Sequence, residues 1–98
     1  MPALRKVAPI ILKEILEAAG WTVYNDDRWN WSLVNKDGQL SVEIPKIGRL
    51  VSFDVMENAL SKAELAPGDY FRCLRIVEEN RHMRGLPIDG SERLPKVN

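Results

Sequence analysis

One cysteine and one histidine are all that this 98-residue chain offers in thiol and imidazole chemistry. A structural zinc site takes several Cys, His or carboxylate ligands at set spacings, so a single Cys and a single His exclude one. A thiol–imidazole pair would need Cys73 and His82 within hydrogen-bonding reach. Carried on one helix at about 1.5 Å per residue, they stand roughly 13 Å apart and do not meet. Cys73 therefore reads as a small buried hydrophobe, and His82 as a solvated residue at a helix end. Neither a GxGxxG nor a GxxxxGK[ST] phosphate loop occurs, which argues against nucleotide-dependent chemistry. Asp26 and Asp27 are adjacent carboxylates with no third acidic ligand nearby, a pattern that favours a turn over a metal site. Neither a metal nor any other cofactor is expected.

Two constellations of the binding type remain. Trp21, Trp29 and Trp31 fall in one short stretch, and aromatic side chains on a sheet can stack nucleic-acid bases. The expected role is nonetheless core packing, because Trp29 and Trp31 share the parity of Leu33 in a strand that must cover a helix. Lys46 and Arg49 precede a helix whose free N–H groups and dipole favour an anion. They read either as a phosphate anchor or as solvated loop charges, and Asp54 in the first turn of that helix offsets part of the attraction.

The elements that must position these residues are set by hydrophobic period. Val7, Ile10, Ile11, Ile15, Leu16 and Ala18 recur at helical spacing with Lys13, Glu14 and Glu17 outside, predicting a helix over 9–19 that Pro9 opens and Gly20 stops. After Gly20 the period changes to two. Trp21 to Tyr24, Trp29 to Val34 and Gln39 to Ile44 read as three antiparallel strands, turning at Asn25-Asp26-Asp27 and Lys36-Asp37-Gly38. Pro45 ends the ladder, and Ser52 caps a second helix with Val55, Met56, Ala59, Leu60 and Ala63 inward. Ala66-Pro67-Gly68-Asp69 opens a third helix with Tyr70, Cys73, Leu74 and Val77 on one face and the Arg75–Glu79 pair outside. From Gly85 onward, glycine and proline punctuate a polar stretch expected to be a loose tail. The expected division is one domain over 1–84 and a flexible tail over 85–98.

A chain of this length supports one hydrophobic core, and its apolar fraction of 45% and charged fraction of 29% are ordinary for a globular domain. The lone cysteine fits a reducing compartment. No apolar run approaches the about 20 residues of a bilayer span, and no secretory signal is recognised, so the expected location is the cytoplasm, away from membranes. Fourteen Lys and Arg balance 14 Asp and Glu, leaving no global positive field for nucleic acid.

Helix, three antiparallel strands and helix is the layout of the double-stranded-RNA-binding domain, an α+β fold. Within it the chain resembles the HicA (YcfA-like) toxin family of bacterial toxin–antitoxin systems. The resemblance rests on Leu16-Glu17-Ala18-Ala19-Gly20-Trp21, on Ser41-Val42-Glu43-Ile44-Pro45, and on Val55 to Ala63 followed by Glu64-Leu65. It covers roughly residues 9 to 66. It implies a small ribonuclease paired with a HicB-like antitoxin, whose catalytic histidine on the second strand usually follows Gly-Ser. Here Arg28-Trp29-Asn30 occupies that motif, so Asn30 stands at the histidine position. An amide accepts no proton near neutral pH, whereas acid–base catalysis of RNA cleavage contributes roughly 10²- to 10⁴-fold. The resemblance thus implies a catalytically degenerate domain that binds RNA, through Lys46, Arg49 and Arg28, or an antitoxin. The alternatives are a protein-interaction module unrelated to RNA, and an active ribonuclease using another residue such as Arg28 or His82. In a gel-based cleavage assay, the purified chain is expected to cut RNA no faster than its Asn30→Ala variant.

Overall fold

A computed structural model describes residues 5–93. Pro9 suits the first turn of a helix because its missing N–H has no partner to lose there. It opens α1 (Pro9–Ala18), which buries Ile10, Ile11, Leu12, Ile15 and Leu16. Gly20 stops the helix in the left-handed region at φ 99°. The Trp21 N–H then reaches the Leu16 carbonyl at 2.9 Å, a Schellman closure that satisfies one of the last free carbonyls.

With the period now two, β1 (Thr22–Asp26), β2 (Asn30–Val34) and β3 (Ser41–Pro45) form an antiparallel meander in the order β1-β2-β3. Leu33 stands opposite Val23 and Val42, and Trp31 opposite Ile44. These side chains face the helices and join one core with Ile11, Ile15, Met56 and Leu60. The register slips between Val23 and Asn25, so Tyr24 sits in a bulge. Ser52 Oγ accepts the Val55 N–H at 3.4 Å and starts α2 (Phe53–Lys62), which packs on β3. Pro67 opens α3 (Pro67–Met83), which lies along α1 and buries Tyr70, Cys73, Leu74 and Val77. The architecture is α+β in the order α-β-β-β-α-α, the order expected with its added third helix. Among the described residues no helix is long and apolar enough to cross a membrane.

The molecule departs from its sequence pattern in four places. Trp29 lies before β2, not in it, and is 55% exposed, whereas Trp21 and Trp31 are buried. Leu40 likewise precedes β3 and is 43% exposed; its N–H donates to the Asn35 side-chain oxygen at the hairpin turn. Glu14 turns inward from α1 to meet Arg81 at 2.6 Å. Finally, residues 85–93, expected to be a loose tail, return to α1 and end in η1 (Ser91–Arg93). Gly90 is buried there, so close to α1 that an added Cβ would lie 2.7 Å from Ile10 Cγ2. Residues 94–98, the remainder of the expected tail, lie outside the described residues.

Arg81 holds this return in place. It is fully buried, donating from Nη1 to Glu14, from Nη2 to Glu92 and from Nε to the Pro87 carbonyl at 2.7 Å. Three helix ends also share one closure: like Gly20, Glu64 and Gly85 adopt positive φ (56° and 73°), with Leu65 bonded to Leu60 and Leu86 to Arg81.

Urea unfolding of three variants checks these contacts. Arg81→Ala leaves two carboxylates without their cation and should cost about 3–5 kcal/mol, whereas Arg75→Ala, in an exposed pair, should cost under about 0.5 kcal/mol. Glu64→Gly relieves a left-handed non-glycine of ~1–2 kcal/mol against an entropic cost of ~0.5–1 kcal/mol, for a net gain of about 0.5 kcal/mol.

Candidate functional site

The residues nominated by sequence gather where the turn between β1 and β2 meets the loop before α2. Asp27 builds the turn. Its Oδ1 accepts the backbone N–H groups of Trp29 at 2.8 Å and Asn30 at 2.7 Å. These bonds, that from Asn30 first, hold its carboxyl below its ordinary value of 3.8. With both N–H groups folded back onto Asp27, Trp29 is taken out of strand alternation, and its ring stays in water. The Arg28 guanidinium lies over that ring at 5.0 Å.

Asn30 begins β2 opposite Pro45. Alternation sets it with Ser32 and Val34 on the sheet face away from the helices, where it is half-buried. His82, the one imidazole in the chain, is exposed near the end of α3, a helix packed on α1. Cys73 also lies on α3, and burial pushes its thiol up, away from the reactive thiolate.

Lys46 is tied to the same turn. Its N–H donates to the Trp29 carbonyl at 2.8 Å, and its ammonium pairs with Asp26. The Lys46 hydrogen bond is the main cause that holds the Asp26 carboxyl below the usual range. The Lys46 ammonium also lies over the Trp31 ring at 4.9 Å, as the Lys13 ammonium does at 5.4 Å. Gly48 takes φ 92°, and Arg49 is exposed with no ion pair among the described residues. Lys46, Gly48 and Arg49 line a cleft of about 20 Å³ against Pro9 and Gly90, which admits about one water. Ile47, Leu50 and Phe53 project into solvent along this loop, at 68%, 52% and 46% exposure, and the Lys6 ammonium lies 4.7 Å from the Phe53 ring centre.

Sequence reasoning missed a second concavity. A groove of about 900 Å³ runs between α1 and α3, its charged lining being Lys13, Glu14, Glu17, Arg81, Arg84 and Glu92. Three cations against three carboxylates leave it no preference for either sign of ligand. Among the described residues no cluster of three potential metal-ligating side chains occurs. Comparison of the chain with known protein families, with characterised proteins and with solved structures found no match.

The turn's dependence on an ionised Asp27 has a pH signature. A depressed folded value means that the Asp27 contribution is present above about 3.8 and is lost as pH falls through the lower folded value. In an NMR titration the Trp29 and Asn30 amide resonances should move together with a midpoint below 3.8, and Asp27→Asn should abolish the transition.

Proposed function

We propose that the chain is a HicA-like binding domain without the family's nuclease chemistry. Its partner is a HicB-like antitoxin protein, held at the corner formed by the β1–β2 turn and the loop before α2. The choice of a protein over RNA rests on one observation. Lys46, the central cation of the corner, is already paired with Asp26, while Trp29 and Ile47 beside it keep most of their apolar surface in water. A polyanion gains little from a neutralised lysine. A protein partner gains by covering aromatic and aliphatic side chains, with Arg28, Arg49 and Lys6 around them to orient it.

The loss of catalysis is supported by Asn30, whose amide accepts no proton. His82, the one imidazole, sits on α3, away from the β1–β2 turn. RNA binding is a second reading, favoured by the stacking of Arg28 on exposed Trp29, a ready platform for an unpaired base.

Titration calorimetry with a HicB-like antitoxin tests the proposal. Trp29→Ala and Ile47→Ser should each weaken binding about tenfold or more, as for side chains central to an interface. The alternative outcome is binding of a short RNA whose slope of log K against log salt falls by about two units in the Arg28→Ala, Arg49→Ala double variant. That result would replace the antitoxin reading with the RNA one.

A further inference from the structure

We propose that residues 86–92 form a strap that opens as a unit while the rest of the fold stays intact, with the Arg81–Glu92 ion pair as its latch. The inference is independent of which partner the corner binds.

This segment fully buries no apolar side chain. Leu86 and Ser91 are half-buried, and Pro87, Ile88, Asp89 and Glu92 are exposed. Its one buried residue is Gly90, which has no side chain to bury. Segments without buried apolar side chains are the ones that open below the free energy of global unfolding. Among the described residues, the hydrogen bonds that tie the segment to the rest of the fold beyond the helix end run to a single guanidinium, Nε to the Pro87 carbonyl and Nη2 to Glu92.

Opening does not strand that charge. Arg81 keeps Glu14, which lies on α1 and outside the strap, at 2.6 Å. The large penalty for an unpaired buried cation is therefore avoided. Water has a route to it, because Arg81, Glu14 and Glu92 all line the groove between α1 and α3, and the Glu92 side chain retains 28% of its exposure. Gly85, at φ 73°, supplies a hinge where α3 ends. What the strap uncovers is the apolar first turn of α1: Ala8, Ile10 and Ile11 are the neighbours against which Gly90 is pressed. This turn borders the cleft that Lys46 and Arg49 line, so opening would extend the exposed apolar surface of the corner.

Hydrogen exchange of the full chain, read by mass spectrometry, tests the strap. Two variants loosen it by different means: Glu92→Gln removes the latch charge but retains an acceptor, and Gly90→Ala drives a Cβ into Ile10. Each should speed exchange over 86–92 by about tenfold, the scale of one lost charged hydrogen bond. Exchange in Leu12–Leu16 and Val42–Ile44 should be unchanged. Equal acceleration in those core segments would show that the strap opens only with the whole fold, and would overturn the proposal. So would a Glu92→Gln protein with unaltered exchange over 86–92.

Discussion

A guanidinium in the interior obliges everything around it to supply acceptors, and Arg81 draws them from three separate parts of the chain. Glu14 comes from α1, the Pro87 carbonyl from the loop after α3, and Glu92 from η1. An apolar side chain there would pack against many surfaces equally well, whereas the planar fork of arginine accepts partners only along fixed directions. Replacing such a group by well-packed hydrophobes is often neutral or stabilising, so its effect is best understood as fixing one arrangement of α3 on α1 and one path for the returning chain. The apolar face of α1 is thereby enclosed from two sides, by the sheet on one and by α3 and the strap on the other.

The corner that presents Trp29, Ile47 and Phe53 is a by-product of that enclosure and of the turn chemistry of Asp27. The core needs Trp31 and Leu33 on the helix side of β2. Once the register is set, the residues before the strand have no place inside, and Asp27 gathers them into a compact turn. The Lys46 N–H and ammonium then bind the loop before α2 to this turn, at Trp29 and Asp26. Apolar groups left in water beside a satisfied ion pair make a surface better suited to covering than to attracting a distant charge.

Most of the fold was legible because it is local. The helical and two-residue periods, Gly20 as a stop and Ser52 as a cap each depend on neighbours a few residues away. The expected contributions of Met56, Leu60, Tyr70 and Val77 to the core are all present. What was not legible depends on distance along the chain. Arg81 stands among Asn80, His82 and Arg84 and reads as part of a solvated helix end; its partners Glu14 and Glu92 are 67 and 11 residues away. Glu14 reads as an outer residue of α1 for the same reason. Parity alone places Trp29 inside, since alternation carries no sign that Asp27 captures two backbone N–H groups. Lys46 and Arg49 were found as a pair, but the pairing of Lys46 with Asp26 across the sheet end has no trace in their spacing.

The two sheet edges bear on how this molecule meets others. An outer strand offers its unused N–H and C=O groups to any extended chain, and such additions are a common route to aggregation as well as to partner capture. Here β1 is five residues long and broken by the bulge between Val23 and Asn25, while β3 closes on Pro45, which has no N–H to give. Neither edge presents an unbroken row of hydrogen-bonding groups. Growth of the sheet by a fourth strand, whether from a second copy or from a foreign peptide, is thus disfavoured at both sides, and contacts made through side chains are left as the way this domain joins another.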